Sequence, residues 1–242
     1  LQSAQRVAAW GDVARRIAHG IKNPLTPIQL AAERLQKKYL PYIYTEKDLF
    51  VTLTDTIVRQ VEDIGGMVDE FSSFARMPRA VIKEIELVDL VKEQVSLQDT
   101  AHLDIDFLLD VVDETIAVQC DARQIRQVIT NLLQNSVDSI TTRKKTSENY
   151  SGKIKILLSI EEGFGSIVIS DNGNGLPKEN RHRLIEPYVT TRVKGTGLGL
   201  AIVAKILEDH RGVFRIEDGG ILGDGATVTI KIPKSNNLKR VK

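Results

Sequence analysis

The sequence is poor in several features that would settle its class at once. It holds one cysteine, Cys120, among 242 residues. That excludes an internal disulfide framework and any zinc site built from several cysteines. No apolar run approaches the ~18 residues of a bilayer-spanning helix, and no signal-peptide pattern opens the chain. An excess of one charge sign is missing too: 33 Lys and Arg against 32 Asp and Glu leave a net charge of +1. A near-neutral chain gives no field that would point to nucleic acid, and the basic end KSNNLKRVK is too short to supply one. No internal repeat is visible. What is present is ordinary for a soluble globular chain, with 42% apolar and 27% charged residues, which argues against wholesale disorder. The length predicts one large domain or two modest ones. The opening LQSAQRVAAW reads as an amphipathic helix already under way with no initiator Met, so a soluble piece of a longer protein is expected.

Periodicity divides the chain. Trp10, Val13, Ala14, Ile17, Ile21, Ile28 and Leu35 recur at helical spacing, and so do Phe50, Leu53, Ile57, Val61, Ile64, Val68, Phe71 and Ala75. Each set forms one apolar stripe with a mean period near ~3.5, the requirement of a bundle seam. Between them YLPYIYTEKD carries Pro41 as a breaker and Thr45 as an N-cap before Glu46 and Asp48. The expectation is an antiparallel helical hairpin over 1–77 whose seam two helices cannot bury alone. A second copy would complete a four-helix bundle; the alternative is a hairpin packed on its own C-terminal part.

RMPRA, with Pro78, ends the second helix and makes 78–80 a linker. From there to about 235 the rhythm alternates. IKEIELVDL, HLDIDFLLDV, TIAVQCD, KIKILLSIEE, SIVISD, VFRIED and TVTIKIP read as short strands, with helical stretches at 90–97, 122–140 and 198–211. This predicts an α+β sandwich over 81–235, a mixed sheet covered on one face by helices. TTRKKTSENYSG, 141–152, reads as a mobile surface loop with solvated Lys and Arg, and 236–242 as a disordered basic tail.

Four places could carry chemistry. His19 stands two residues from Ile17 and from Ile21, about 200° round a helix, so it should project away from the apolar stripe. Gly20, Pro24 and Pro27 follow it, three choices unfavourable to a helix beside one histidine. Such a cluster suggests local structure kept for function. Asn131 and Asn135 lie one turn apart on the same side of a helix. They are simple surface polarity, or amide oxygens for a hard cation such as Mg²⁺. Asp171-Asn172-Gly173-Asn174-Gly175 follows a strand and is a tight turn unless the long stretch after it, with Pro177, Pro187 and a basic cluster, is a lid. Gly195-Thr196-Gly197-Leu198-Gly199-Leu200 runs straight into a helix. Glycines at a helix N-terminus present free N–H groups and a positive dipole end to a phosphate. The spacing is neither the Rossmann nor the Walker pattern.

Taken together, these residues resemble a family. HGIKNPLTP resembles the phospho-acceptor box of bacterial two-component sensor histidine kinases. NLLQNSVDSI resembles their N box, DNGNG the first glycine box, IEPYVTTR the F-box region, GTGLGL the second glycine box and GDGATVTIKIP the closing segment. ARRIAHGIKNPLTPIQLAAERL is most similar to the nitrogen-regulation kinases of the NtrY type. The resemblance implies a dimerisation and phosphotransfer hairpin followed by an ATP-binding domain of the gyrase B, Hsp90 and MutL fold. It implies His19 as phospho-acceptor, with Asn23 orienting a hydrolytic water on a phosphorylated partner. Asn135, with Asn131, would hold Mg²⁺ against the phosphates. Asp171 would accept from the adenine amino group, with Gly173 and Gly175 admitting the base and Thr227 lining its pocket. Gly195, Gly197, Leu198, Gly199 and Leu200 would wrap the phosphates, and Thr191 and Arg192 would belong to a closing lid. The implied setting is the cytoplasmic region of an inner-membrane sensor, acting as a homodimer on a response-regulator receiver domain.

One departure stands out. The family places Glu or Asp after the histidine as general base, and here Gly20 takes that place. A positioned base is worth ~10²–10⁴-fold, so slow autophosphorylation is expected. Two rivals remain: a protein that chiefly dephosphorylates its partner or serves as a signalling scaffold, and a gyrase B-like ATPase clamp. The second leaves HGIKNPLTP unexplained.

Overall fold

The computed structural model describes residues 2–75, 77–147, 150–179, 181–187, 189, 196–219 and 222–235, with side chains described from 16 onward except at 182. The tail 236–242 thus lies outside the described residues. Two units divide the chain: Leu1–Pro78 with Arg192–Leu198, and Arg79–Thr191 with Gly199–Lys242.

In the first, α1 (Gln2–Tyr39) runs unbroken through Pro24 and Pro27. Neither proline has an N–H, so the carbonyls of Gly20 and Asn23 receive no helical bond from four residues on. The stretch just after His19 is therefore the helix's weakest. A short 3₁₀ turn, Leu40–Tyr42, contains Pro41, and α2 (Lys47–Ala75) returns. Thr45 is not the cap: the first helical bond runs from Phe50 N–H to the Glu46 carbonyl (3.0 Å), and Glu46 takes φ 54°. The chain enters α2 through one left-handed residue, which moves the cap one place later than expected.

Polar pairs clasp the hairpin at heptad intervals. Lys22 pairs with Asp69, Gln29 donates to Glu62 (3.4 Å) and Gln36 to Asp55 (2.8 Å). Each step of seven up α1 is a step of seven down α2, which fixes the antiparallel register. Among the described residues, however, the buried ones are Ala18 and Ala32 on α1 and Thr54, Val61 and Val68 on α2. Ile17 and Ile21, taken from the sequence as buried, are 43% and 39% exposed, and Ile28, Leu35, Leu53, Ile57 and Ile64 are exposed too. Small residues let the paired helices approach, so the large ones are turned out beside the seam.

The second unit opens with β1 (Lys83–Glu86) and α3 (Leu87–Ala101). IKEIELVDL is thus not one strand. Glu86 ends it by accepting from Val88 N–H (3.2 Å) and Ile116 N–H (2.7 Å), which caps α3. Then follow β2 (Ile105–Val111), β3 (Ala117–Cys120), α4 (Ala122–Lys144), β4 (Gly152–Glu161) and β5 (Phe164–Asp171). After these come α5 (Gly199–Asp209), β6 (Val213–Asp218) and β7 (Ala226–Pro233). One sheet has the order β2-β4-β5-β7-β6, and β1 pairs with β3 in a small second sheet. Only β2 and β4 run parallel in the larger sheet, so it is mixed, as the α+β reading requires. Alternate residues Ile154, Ile156 and Leu158 of β4 and Ile230 and Ile232 of β7 are buried, with Ile167 and Ile169 of β5. So are Ile125, Ile129, Leu132, Leu133 and Ile140 of α4 and Ile202, Ile206 and Leu207 of α5. Burying an aliphatic side chain is worth about 1.5–3 kcal/mol, so this layer dominates the unit's stability.

Asp121 anchors the start of α4. Its carboxylate accepts from the N–H groups of Val81 (2.9 Å), Arg123 (3.0 Å) and Gln124 (3.4 Å). Burial alone would raise this carboxyl's pKa, but the three donors outweigh it and hold it below its ordinary value. Its own N–H donates to His210 Nε2 (2.9 Å), and His210 Nδ1 lies 2.7 Å from the Ile206 carbonyl. Nε2 is therefore the acceptor and Nδ1 carries the proton, so this buried histidine links the end of α5 to the start of α4.

Candidate functional site

Within the hairpin unit, His19 and Asn23 are both exposed on α1, four residues and one turn apart. Exposure of His19 is what its offset from Ile17 and Ile21 predicted, although those two are not buried in a single chain. A Cβ built on Gly20 meets nothing within 4 Å. No steric demand excludes an acidic side chain there.

Within the second unit, one face of α4 organises the site. Asn131, Asn135, Ser139 and Arg143 follow one another in steps of four, a polar stripe along ~18 Å of helix. At one end Asn131 Nδ2 donates to the Gly199 carbonyl (3.4 Å) at the start of α5. A Cβ on Gly199 would meet Asn135 Nδ2 at 4.0 Å, so both asparagines stand at that helix terminus. At the other end Ser139 Oγ accepts from Asn174 N–H (3.0 Å). Arg143 Nη1 donates to the carbonyls of Asn172 (2.8 Å) and Gly173 (2.9 Å), while its Nη2 pairs with Asp224 (2.9 Å). The helix thus touches both glycine segments.

The segment Asp171–Gly175 leaves the end of β5 with its conformation closely specified. Asp171 is buried and accepts from Gly173 N–H (2.8 Å). A Cβ on Gly173 would fall 2.2 Å from Ser139 Oγ, and one on Gly225 would fall 2.0 Å from the Asp171 carbonyl oxygen. Neither place admits a side chain. Gly175 takes φ 74°, which a glycine adopts without strain. Asn172 ties the segment to the start of β4: its Oδ1 accepts from Lys153 N–H (2.7 Å) and its Nδ2 donates to the Ser151 carbonyl (2.9 Å). The Tyr150 hydroxyl reaches both the carbonyl and Oδ1 of Asn172. Burial raises the Tyr150 pKa, so the phenol stays a donor. Thr227, on the neighbouring β7, donates to the Gly219 carbonyl (2.5 Å) and accepts from Ser170 Oγ (2.8 Å). Because Ser170 pairs with Thr227 across the sheet, Asp171 and Thr227 open onto the same end of it.

At the start of α5, Gly197 has φ 71° and Leu198 N–H donates to Thr196 Oγ1 (3.2 Å). Gly199 and Leu200 form the first turn. Thr191, Arg192 and Gly195 lie outside the described residues. So the structure brings Asp171, Gly173, Gly175 and Thr227 together, and Asn131 and Asn135 with Gly199. The amide oxygens of those asparagines are hard donors that suit Mg²⁺. Among the described residues no group of three or more His, Cys, Asp or Glu could hold a metal.

Sequence reasoning missed Ser139, Arg143, Tyr150 and the role of Asn172. The segment 141–152 was expected to be a surface loop throughout, but α4 continues to Lys144, β4 begins at Gly152 and Arg143 meets carbonyls instead of solvent alone. The missing signal was the spacing: the step from Asn131 to Asn135, repeated twice, reaches Ser139 and Arg143.

Comparison with known proteins assigns a family to each part of the chain. Residues 9–79 match the His Kinase A (phospho-acceptor) domain, and 120–236 match the histidine kinase-, DNA gyrase B- and HSP90-like ATPase family. The nitrogen regulation protein NtrY of Azorhizobium caulinodans is 48% identical over 220 residues, or 90% of this chain, and the chain spans 28% of that relative's length. Among solved structures, the catalytic domain of histidine kinase ThkA is 31% identical with a TM-score of 0.54, over 63% of this chain and 95% of that one. ThkA in complex with the response regulator protein TrrA shares the fold at 24% identity and a TM-score of 0.64, over 97% of this chain and 64% of that one.

Proposed function

Since the chain belongs to the two-component sensor histidine kinases of the NtrY-like kind, we propose that it transfers the γ-phosphoryl group of ATP to His19 and from there to an aspartate of a response regulator. The observation that carries this is the exposed His19 on a helical hairpin, in a chain whose other unit joins the Asp171–Gly175 segment to Asn131, Asn135 and Gly199 at the start of α5. Phosphoryl transfer needs placement and charge neutralisation more than covalent machinery. An imidazole is nucleophilic near neutral pH. One ring nitrogen of His19 forms the P–N bond as the bond between γ-phosphorus and the bridging oxygen breaks. ADP leaves, and the proton of the other nitrogen passes to solvent. Asp171 would accept a hydrogen bond from the adenine amino group, Gly197 and Gly199 would offer N–H groups to the phosphates, and Asn135 with Asn131 would hold Mg²⁺. That ion supplies charge neutralisation on the phosphate oxygens.

Gly20 leaves the proton without a carboxylate to receive it, so the chain autophosphorylates slowly. Space for the acid exists beside His19. Gly20→Glu should speed label uptake by ~10²-fold or more; an unchanged rate refutes the loss of a base. The exposed apolar stripe of the hairpin supports a homodimer through a four-helix bundle. No described helix is long and apolar enough to cross a membrane, and the chain spans a minor part of its relatives. The sensor's attachment to the inner membrane is proposed for segments beyond this chain, which would be its cytoplasmic part.

Incubation with γ-labelled ATP and Mg²⁺ tests the reading. The label should be acid-labile, base-stable and absent from His19→Gln. A second reading, that the chain chiefly dephosphorylates its partner, is favoured by Gly20 and the exposed Asn23. It predicts that Asn23→Ala prolongs the life of a phosphorylated regulator while label uptake by His19 is unchanged.

A further inference from the structure

The glycine segment that carries Asp171 is held by a clamp built from Arg143 and Tyr150, in the stretch after the N box, and Asp224, in the connection before β7. Arg143 Nη1 donates to the Asn172 carbonyl (2.8 Å), and Gly173 N–H donates to Asp171 Oδ1 (2.8 Å). That carbonyl and that N–H belong to one peptide plane. No peptide bond among the described residues is cis, so the two groups point outward from opposite edges of the plane. Arg143 holds one edge and the Asp171 carboxylate hangs from the other. Turning the plane would break both bonds together.

Two further contacts widen the grip. Arg143 also takes the Gly173 carbonyl (2.9 Å) and the Asp224 carboxylate (2.9 Å). Asp224 precedes Gly225, whose Cα lies so close to the Asp171 carbonyl that a Cβ there would stand 2.0 Å away. One guanidinium therefore gathers the two loops that flank Asp171. A planar fork with several donors can do this, and an ammonium cannot. The ring of Tyr150 lies 5.2 Å from the guanidinium, and its hydroxyl bonds to Asn172. The Arg143 side chain is 27% exposed and lies outside the apolar core, so the fold does not depend on it as it depends on Ile129 or Leu132.

We infer that Arg143, backed by Tyr150 and Asp224, is a positioning residue that fixes the Asp171 carboxylate against the purine amino group and so sets the choice of base. The inference rests on the nucleotide reading above. An unclamped glycine segment would sample many conformations, and the carboxylate would pay ordering entropy on each binding event.

The test measures binding of ATP and of inosine triphosphate, which lacks the amino group, to the whole chain and to Arg143→Ala, Arg143→Lys and Tyr150→Phe. Hydrogen exchange across 172–175 is followed in the same proteins. ATP affinity should fall about tenfold in Arg143→Ala, the loss of charge-assisted bonds to two carbonyls. Inosine triphosphate affinity should change less than about twofold, and exchange in the segment should quicken. Arg143→Lys should fall between wild type and Arg143→Ala, and Tyr150→Phe should show a smaller loss of the same selective kind. An unchanged ratio of the two affinities overturns the inference, whether both nucleotides hold or both weaken alike; the second case would make Arg143 a fold-holding residue only. Failure of the wild-type chain to bind ATP at all overturns the nucleotide reading, and the base selectivity with it.

Discussion

The two units differ in what they bury. The sandwich has a closed core, in which α4 alone contributes seven buried aliphatic side chains from Ile125 to Ile140. Among its described residues the hairpin buries two alanines, a threonine and two valines, and leaves Ile17, Ile21, Ile28, Leu35, Leu53, Ile57 and Ile64 exposed. Large apolar side chains exposed in that number are what an interaction face shows. The lesson is that stability and function are divided differently. The unit that matches the ATPase family closes its core within one chain, while the unit that carries His19 leaves large apolar side chains uncovered, which is the basis for proposing that it is stabilised by association.

The sharpest way to break this contrast is to charge the stripe. Ile57→Asp with Ile64→Asp should convert a dimer to a monomer at micromolar concentration and melt much of the hairpin's helix. Two aliphatic side chains per subunit at about 1.5–3 kcal/mol each set a loss of about 6–12 kcal/mol per dimer. Sedimentation and helical circular dichroism would read it. A doubly charged variant that stays dimeric and helical would show that the hairpin is complete without a partner.

Truncating the other core should act without changing the assembly. Leu132→Ala or Ile129→Ala should lower the unfolding free energy of the sandwich by about 2–5 kcal/mol and leave the sedimentation coefficient unmoved. A changed oligomeric state would mean that the two cores are not separate.

How far this was legible in the sequence follows the same division. Periodicity gave the hairpin and the strands, because burial on one side imposes a period of its own. It could not say which apolar side chains a single chain buries, since Ile17 and Ala18 are both apolar and one step apart. The glycine loops were legible because few residues tolerate φ 74° or the close approach at Gly173 and Gly225. Arg143 was not, because a long cation near a helix end looks the same whether it meets solvent or carbonyls. Only α4's last turn, with the side chain facing Gly173, distinguishes the two.

A smaller effect concerns acid. The carboxyl of Asp121 is held below its ordinary value of 3.8 because three backbone donors outweigh its burial. A depressed folded pKa gives stability that is present above the unfolded value and is lost as pH falls through the folded one. Asp121→Ala should therefore cost about 1–2 kcal/mol at neutral pH, where the cap is lost, and progressively less below pH ~4. Parallel acid titrations of wild type and variant would check it; a constant difference down to pH ~2 would show that the ionised carboxylate is not what matters.

The smallest effect sharpens the comparison most. Cys120 is buried in the sandwich, and burial, with the charge of Asp121 beside it, pushes its pKa up to about 12. The raised value gives stability that is complete below the unfolded value of 9.0 and is lost between there and about 12. At pH 8 the native thiol is therefore almost wholly protonated and shielded, and alkylation must wait for the sandwich to open. Because the hairpin contains no cysteine, the labelling rate reports one unit alone. Leu132→Ala should raise that rate in proportion to its destabilisation, ~30-fold or more for a loss of about 2 kcal/mol. Ile57→Asp with Ile64→Asp should leave it within about twofold of wild type, the spread expected for independent sites. A tenfold acceleration in the charged hairpin would mean that the sandwich draws stability from the bundle, and the division between the units would have to be redrawn.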